Sequence, residues 1–330
     1  MSFFKSENQI SILRGNQCIM NDINYPLEFS STCGCMIESK IYCGSSSGKI
    51  YILSPNKRVE STIDGHNGMV TLCVVFNDTI ITTGEDGLAK MWSLTGSLRA
   101  TIARSQLPIH ASCIIKNDFI YACRDKIIVN DVYGSSSKRI YNTDSIITSI
   151  CPFSKGLLVG GQFGKLQLYS NYKLLKFVQF NSKIYKIHVN EHLGLIYCGF
   201  ASKLYILDFK LVILKKIECV GTVIDVVALN NGQIHVMTTL STEKFHYFPA
   251  LLKHSFAVFF QSKFIIENIK LNTQYTVDVL LQDILEIVIN RAVFVILKNK
   301  VIVYDQKDIV IDVSFTIKRF MAQNWYFLLM

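Results

Sequence analysis

The sequence holds one set of side chains whose types and order suit acid–base chemistry. His66 precedes a run of apolar residues, Thr82 and Thr83 lie in the next run, and Asp86 stands in the turn "GEDG". A histidine held by a carboxylate can act as a general base when a nucleophile and a cleft complete the arrangement. The sequence has no His-Glu-x-x-His and no Gly-rich loop ending in Lys-Ser or Lys-Thr to supply such a partner. The pair therefore needs another explanation.

Two other stretches look reactive at first. "CGC" carries Cys33 and Cys35. These side chains would face the same side of a strand, where the geometry suits neither a disulfide bond nor, without a second pair, a zinc site. "VGGQFGK" at residues 159–165 resembles a phosphate cradle. A second strand follows it, so the helix N-terminus that would bind the anion is missing. We expect no metal site and no cofactor.

The elements that would position these side chains recur along the chain. The segments "IYCGSSSGKIYILS", "IITTGEDGLAKMWS", "LLVGGQFGKLQLYS" and "IYCGFASKLYILDF" each combine an apolar strand, a turn of small residues and a second alternating strand. Their turns are anchored at Gly48, Gly87, Gly164 and Ser202, at intervals of 39, 77 and 38 residues. The interval of 77 is two periods, and residues 119–132 hold a degenerate copy. The fifth position after each anchor is large and apolar: Leu53, Trp92, Tyr169 and Leu207.

A period of about 40 residues with about four strands per repeat is typical of a WD-type β-propeller. In WD repeats a histidine, a hydroxyl, a turn aspartate and a tryptophan form a buried relay. On this interpretation His66 donates to Asp86, and Thr82 (or Thr83) joins His66 to the indole N–H of Trp92. A buried carboxylate needs such partners. We therefore assign His66, Thr82, Asp86 and Trp92 a structural role.

Most other repeats have lost this relay. The position of Asp86 is taken by Ser47 in an earlier copy and by Phe163 in a later one. Those blades must depend on apolar packing. Weaker copies at residues 235–248 and 292–305 bring the expected count to seven, possibly eight, four-stranded blades.

The predicted fold is an all-β, WD40-type β-propeller that forms one domain over residues 1–330. Residues 62–99 should form the most regular blade, and residues 250–290 are irregular, with one run that could be a short helix. Residues 1–27 would supply part of the first blade, which C-terminal strands would complete by closing the ring.

Composition narrows the function classes. The net charge of +9 is spread along the chain without the clustered stripe of a nucleic-acid binder. Most of the ten cysteines stand singly in apolar runs, as expected in a reducing compartment. The N-terminus lacks the features of a signal peptide. Charges interrupt every apolar run before it reaches the length of a membrane span. We therefore expect a soluble, cytoplasmic protein.

The segment from Gly48 to Ala103 is similar to the N-terminal propeller of the intraflagellar transport protein 80 family. The features that match are "GK" before an apolar strand, "RVE", "H-x-G-x-V", "GEDG", "K-x-W-S" and "TG-x-LR-x-T-x-A". The resemblance implies a non-enzymatic scaffold of intraflagellar transport complex B that acts in cilium assembly and anterograde transport. It implies other complex B subunits as partners, including one with a calponin-homology domain, and a location in the cilium and basal body.

Other functions remain open. A different cytoplasmic or nuclear WD40 adaptor could act in ribosome or RNA processing, in a vesicle coat, or as a ubiquitin ligase substrate receptor. A lipid-binding propeller is disfavoured because the chain has no adjacent arginine pair. For partner binding we select turn residues beside the most complete repeat, which are also compatible with ordinary solvated turns: Asn67, Gly68, Glu85 and Arg104.

Overall fold

The computed structural model describes residues 2–6, 9–20, 23–37, 39–56, 58–134, 139–230, 232–249, 256–260, 264–268, 273–277, 284–289, 293–297, 300–304, 308–312, 322–323 and 326–327, with side-chain environments from residue 11 to 245. All the secondary-structure elements in these stretches are β-strands. None of these residues belongs to a helix with the length and apolar character that a bilayer crossing requires. The all-β prediction is confirmed.

The chain divides into two compact units. One comprises Met1–Ala228 and His235–Glu243, and the other comprises Leu229–Ile234 and Lys244–Met330. The single domain expected over residues 1–330 stays a prediction, as does the special regularity of residues 62–99.

Five sheets lie wholly in the first unit, with their strands in chain order. The first contains β1 (Ser2–Ser6), β2 (Gln9–Met20), β3 (Ile23–Ile37), β4 (Lys40–Ser45), β5 (Lys49–Leu53) and β6 (Val59–Asp64). The second contains β7 (Val70–Phe76), β8 (Thr79–Gly84), β9 (Leu88–Ser93) and β10 (Leu98–Arg104). The third contains β11 (Ser112–Ile115), β12 (Asp118–Cys123), β13 (Lys126–Asp131) and β14 (Arg139–Asn142). The fourth contains β15 (Ile147–Phe153), β16 (Gly156–Gly161), β17 (Lys165–Ser170) and β18 (Lys173–Gln179). The fifth contains β19 (Lys186–Asn190), β20 (Leu195–Gly199), β21 (Lys203–Asp208) and β22 (Ile213–Glu218).

The later strands form three more sheets. The sixth contains β23 (Val223–Ala228), β24 (Gln233–Thr238), β25 (Thr242–Pro249), β26 (Phe256–Phe260), β27 (Phe264–Asn268) and β28 (Thr273–Val277). The seventh contains β29 (Ile284–Ile289), β30 (Val293–Leu297), β31 (Lys300–Tyr304) and β32 (Asp308–Asp312). A short pair, β33 (Ala322–Gln323) and β34 (Tyr326–Phe327), ends the described chain.

Six inner strands of the first unit surround a central cavity of about 330 Å³. Residues of β3, β7, β11, β15, β19 and β23 line this cavity, and β1 contacts both β3 and β23. These six strands are therefore the inner strands of six blades in a closed ring. Ring closure covers sheet edges that would otherwise be open to pairing with another chain.

The blade count differs from the sequence-based expectation of seven, possibly eight, since this ring has six. The repeat at residues 292–305 does contain two strands, β30 and β31, but they belong to the second unit. The first blade also closes differently, because β1 and β2 join β3–β6 in one sheet that contains none of the C-terminal strands that the structure describes. In the run that could have been a helix, the described residues form β28 and β29.

The anchor glycines explain why the repeats are visible in the sequence. Gly48, Gly87 and Gly164 have φ values of +86°, +74° and +80°, which favour glycine. A Cβ atom on Gly87 would lie 2.3 Å from the Ser105 carbonyl oxygen, and one on Gly164 would lie 2.3 Å from the Phe180 carbonyl oxygen. The same close approach lets the next loop donate its backbone N–H to the glycine carbonyl. Each turn is thereby bound to the loop that leads into the following blade.

Threonines on the inner strands join neighbouring blades. Thr32, Thr71 and Thr148 each lie at a register shift in their strand, opposite no partner residue. Such a bulge re-aims a side chain. Thr32 donates to the Val70 carbonyl of the next blade at 2.6 Å, and Thr148 donates to the Ile184 carbonyl at 2.6 Å. Thr71 makes the equivalent bond to the carbonyl of residue 109. We call these three bonds the threonine clasps.

The hydrophobic core lies between neighbouring blades. One cluster joins the first and second blades and includes Tyr42 and Trp92. Another joins the second and third blades around Phe119 and Tyr121, and further clusters join the third to the fourth and the fourth to the fifth. Since each blade covers its neighbour, the apolar residues of the inner strands are largely buried, whereas outermost strands such as β18 leave some of theirs exposed.

Candidate functional site

The second blade brings the four relay side chains together. His66 Nδ1 lies 2.9 Å from Asp86 Oδ1, and His66 Nε2 lies 2.8 Å from Thr82 Oγ1. The indole Nε1 of Trp92 donates to Thr82 Oγ1 at 2.8 Å. The neighbouring Thr83 instead bonds to Thr71. Of the two threonines considered from the sequence, Thr82 is therefore the one in contact with His66 and Trp92.

The turn that carries Asp86 adds two further donors. The backbone amides of Asn67 and Leu88 both donate to the Asp86 carboxylate at 3.1 Å. Burial acts to raise the pKa of Asp86, but the bonds from His66 and the two amides outweigh it and lower that pKa below its usual value. The carboxylate is therefore ionised at neutral pH.

The protonation of His66 follows from its surroundings. Its side chain is 0% exposed, and burial lowers its pKa even though Asp86 acts in the opposite direction. In a neutral ring, Nδ1–H donates to Asp86 and Nε2 accepts from the Thr82 hydroxyl, whose oxygen accepts from Trp92. Every polar group in the chain of bonds then has a partner. Neither ring nitrogen is left to take a proton from a bound molecule, so we infer a structural role for the relay.

The turn residues selected as partner-binding candidates lie partly together. Asn67 is exposed, Glu85 is exposed and accepts a bond from the Met69 amide at 3.2 Å, and Gly68 lies against Glu85. Arg104 is exposed at the end of β10, opposite Leu88 in the sheet register. The binding role of these four residues stays a prediction.

A groove that sequence reasoning missed opens beside them. Two loops and two turns on one face form an open cavity of about 690 Å³, which we call the loop-face groove. Its apolar lining includes three exposed side chains: Leu107, Ile146 and Phe163. Leu107 also connects the groove to the second blade, since its carbonyl lies against Gly87 in the turn after Asp86. The groove and the relay thus share one face of the ring.

Polar groups in the loop-face groove are available for binding. Arg124 and Lys126 are exposed and have no acidic partner within the described residues, whereas Asp144 is paired with Lys165. The hydroxyl of Ser145 lines the groove, is 7% exposed as a residue, and has no hydrogen-bond partner in the described part of the chain. A buried hydroxyl without a partner is costly, so a ligand that bonds to it gains accordingly.

One signal in the sequence could have indicated this groove. Phe163 replaces the relay aspartate in a tight turn, and its side chain is 69% exposed. A large aromatic residue at a turn position with no core to enter suggests a contact surface. The other lining residues come from loops far apart in sequence, which no local pattern connects.

The stretches that first looked reactive are structural. "VGGQFGK" forms the end of β16, a turn and the start of β17, with no helix. Cys33 and Cys35 are buried, and Cys35 Sγ lies 3.3 Å from Cys73 Sγ in the next blade. Burial raises the pKa of the Cys33 thiol far above its usual value, which disfavours the reactive thiolate. Among the described residues, no group of three His, Cys, Asp or Glu side chains could hold a metal ion.

Comparison with solved structures decides the fold. The crystal structure of the WD40 beta propeller domain of Doa1 aligns with a TM-score of 0.64 over 74% of this chain and 90% of that one, at 14% identity. The fold is a WD40-type β-propeller. The computationally designed Ika8 protein aligns with a TM-score of 0.54 over 87% of this chain and 97% of that one, also at 14% identity. Both likenesses concern the fold alone.

The sequence comparisons match a smaller part of the chain than the structure comparisons do. No family model matches the chain. A segment of 70 residues of this WD40-type propeller is 40% identical to the intraflagellar transport protein 80 homologs of Rattus norvegicus and Mus musculus. The segment makes up 20% of this chain and spans only 9% of the length of each relative. The similarity to this family expected from the sequence is thus found over part of one propeller.

Proposed function

We propose that the protein is a non-catalytic adaptor that binds other proteins through the loop face of its propeller. The observation that carries this proposal is the loop-face groove, in which exposed apolar side chains surround an unsatisfied hydroxyl. Rigid blades hold the loops in place, and loops on such a scaffold can vary without loss of the fold. The propeller fold, common among interaction scaffolds, supports this role.

We further propose that it acts as a component of intraflagellar transport complex B in cilium assembly and anterograde transport. The 40% identity over 70 residues to the two relatives supports this assignment. The expected partners are other complex B subunits, including one with a calponin-homology domain, and not nucleic acid or an inserted membrane. The expected location is the cytoplasm, the cilium and the basal body.

Absence of catalysis is part of the same proposal. The pair most suited to acid–base chemistry, His66 and Asp86, is fully engaged within the protein. The groove carries cations and apolar surface, and the only acids in its lining are Asp125 and the ion-paired Asp144.

Affinity purification of the tagged protein from ciliated cells tests both the adaptor role and the complex B assignment. We expect complex B subunits to be recovered with the wild type and lost with Phe163→Asp or Arg124→Glu. Leu98→Asp is the matched control, since Leu98 is another exposed apolar residue outside the groove. Folding of each variant is checked by its melting temperature.

The outcomes separate the two proposals. Recovery of no complex B subunit with the wild type would overturn the ciliary assignment. Recovery of a different set of proteins that depends on Phe163 would identify another WD40 adaptor that uses the same groove. Partners that the groove variants retain in full would overturn the groove as the binding surface.

A further inference from the structure

Charge is distributed unevenly within the ring. Residues 145–190 contain six lysines and no aspartate or glutamate. These residues form the fourth blade, β15–β18, and the start of the fifth. Two of the lysines are paired with acids from outside the segment, Lys165 with Asp144 and Lys186 with Asp225. The other four have no acidic partner among the described residues: Lys155, Lys173, Lys176 and Lys183.

Two of these four lysines lie on the outermost strand of the blade, and the ammonium of one of them, Lys176, donates to the Lys210 carbonyl. β18 has the sequence "KLLKFVQ", and Lys173 and Lys176 occupy its first and fourth positions. The strand pairs with β17 on one side only in the described chain, so its outer edge presents unpaired backbone donors and acceptors. All its residues are exposed apart from the half-buried residue 178.

The same strand exposes an unusual amount of apolar surface. Leu175 is 64% exposed, Phe177 is 52% exposed, and Leu174 is exposed as well. Phe177 lies opposite Gln167 in the register, whereas Leu175 lies at the register shift between Leu174 and Lys176, where the alternation of side chains is interrupted. The Phe177 ring has the Lys165 ammonium 4.2 Å from its centroid, which places a positive charge beside the apolar face.

The first blade shows that such an outer strand is not a general feature of this ring. β6 has the sequence "VESTID", with two acidic residues, Glu60 and Asp64, and no lysine, whereas β18 has two lysines and no acidic residue. Glu60 is paired with Lys40 at 2.6 Å. The outer edge of the fourth blade therefore combines unpaired backbone, exposed apolar side chains and uncompensated positive charge, and that of the first does not.

We propose that β18 is a docking edge for an acidic, strand-forming segment of a partner protein, which adds to the fourth blade as a fifth strand. Main-chain hydrogen bonds would hold the segment, and alternate side chains of the segment would contact the side chains of β18. Acidic side chains opposite Lys173 and Lys176 form favourable cross-strand pairs, while apolar ones cover Leu175 and Phe177. A second copy of β18 is disfavoured at this edge because like charges would face each other.

This docking edge uses residues that do not line the loop-face groove, and it does not depend on the ciliary assignment. A partner of the adaptor could therefore occupy both surfaces, or two partners one each. A protein strand is favoured over an anionic lipid surface because only a strand satisfies the unpaired backbone of β18.

Synthetic peptides provide the test. The probe is a short fluorescein-labelled peptide in which Glu alternates with Val and Ile, and fluorescence anisotropy against the full chain measures binding. The first comparison peptide carries Lys in place of every Glu. The second keeps the side chains of the probe but is N-methylated at alternate residues, so that one backbone edge cannot pair. We expect the acidic peptide to bind and both comparison peptides to lose binding.

Variants locate the contact. Lys173→Glu should weaken binding of the acidic peptide by about fivefold, as expected when one cross-strand ion pair becomes a repulsion. Lys155→Glu is the matched control, because it makes the same charge change on the same blade away from β18, and it should leave binding unchanged. Both changes are on the surface, and melting temperatures confirm that the variants fold.

Three results would overturn the proposal. Equal binding of the N-methylated peptide would exclude strand addition, and equal binding of the lysine peptide would exclude charge recognition. Sedimentation of the protein with phosphatidylserine vesicles, lost in Lys173→Glu while the acidic peptide fails to bind, would identify a lipid surface instead. None of these results bears on the groove variants Phe163→Asp and Arg124→Glu, which test the adaptor role separately.

Discussion

The second and fourth blades correspond residue by residue at a shift of 77 positions, yet different forces hold them. The four relay positions of the second blade and their equivalents in the fourth are His66 and Thr143, Thr82 and Val159, Asp86 and Phe163, and Trp92 and Tyr169. In the second blade these positions form a closed chain of hydrogen bonds. In the fourth, Thr143 instead bonds to the carbonyls of residues 125 and 145, and Val159 is part of the apolar core.

The difference shows what loss of the relay makes possible. Asp86 is directed inward, with its side chain 11% exposed, whereas Phe163 at the same turn position points to solvent. Apolar packing between blades is sufficient to hold the fourth blade, so its turn residue is free to line a groove. The turn residue of the second blade takes part in its hydrogen-bond relay, whereas that of the fourth blade is exposed and lines the loop-face groove.

The largest expected contrast comes from removing the two turn side chains. Asp86→Ala should lower the free energy of unfolding by about 3 kcal/mol, because His66 and two amides lose a charged acceptor. Phe163→Ala should change it by less than about 0.5 kcal/mol, since its side chain is mostly exposed. Urea denaturation of both variants measures the difference. Equal losses would contradict the division of roles between the blades.

Removal of the Thr82 hydroxyl, which joins His66 to Trp92, should have the next largest effect on stability. Thr82→Val keeps the shape of the side chain but leaves His66 Nε2 and Trp92 Nε1 without a partner, at a cost of about 2 kcal/mol. Thr95→Val, an exposed change next to the same sheet, should stay within about 0.5 kcal/mol. In a Trp325→Phe background, Trp92 is the sole tryptophan, and its fluorescence should report the unfolding of this blade.

A smaller effect should appear as a dependence of stability on pH. The folded state lowers the pKa of His66, so the unfolded chain takes up a proton first as the pH falls below about 6.5. The stability that the neutral ring contributes is present above that pH and is lost as the pH falls through the lowered, folded-state pKa. Asp86, whose pKa is also lowered, adds a similar loss below about pH 4.

His66→Gln isolates the histidine part of this dependence. The variant should be less stable at neutral pH, and its melting temperature should fall less steeply than that of the wild type as the pH is lowered from about 7 to about 5. Parallel curves for the two proteins would show that His66 does not titrate on unfolding in this range. The fourth blade has Thr143 at this position and contributes no equivalent titration.

The smallest effect is expected at the exposed ion pair of the fourth blade. Asp144→Asn removes the pair with Lys165, but the Asp144 side chain is 56% exposed, so the loss should lie between about 0 and 1 kcal/mol. Moderate salt should abolish even this difference. A loss as large as that of Asp86→Ala would mean that the charge in the fourth blade carries as much stability as the relay.

The sequence predicted the parts of this comparison that depend on local patterns. The anchor glycines indicated the turns because their backbone conformation and the close loop excluded other residues. The spacing of His66, Thr82, Asp86 and Trp92 placed them in one blade. The number of blades could not be read in the same way, since a repeat copy such as residues 292–305 does not show whether it joins the ring.

The loop-face groove and the threonine clasps could not be predicted from the sequence for a different reason. Leu107, Arg124 and Phe163 meet only because three consecutive blades place their loops at one face. A bulge such as that at Thr71 depends on the pairing register, which neighbouring strands set together. Ser145 reads as an ordinary loop serine until its burial is known.

The threonine clasps make the circumference of the ring uneven. They fasten the first blade to the second, the second to the third, and the fourth to the fifth. At the seam between the third and fourth blades the corresponding residue is His110, which makes no such bond within the described chain. The loop-face groove opens at this seam. A partner that inserts side chains there would meet a joint without a threonine clasp, which is held instead by the bonds from the Ile147 amide to the Arg124 carbonyl and from the Tyr172 hydroxyl to the Asp118 carboxylate.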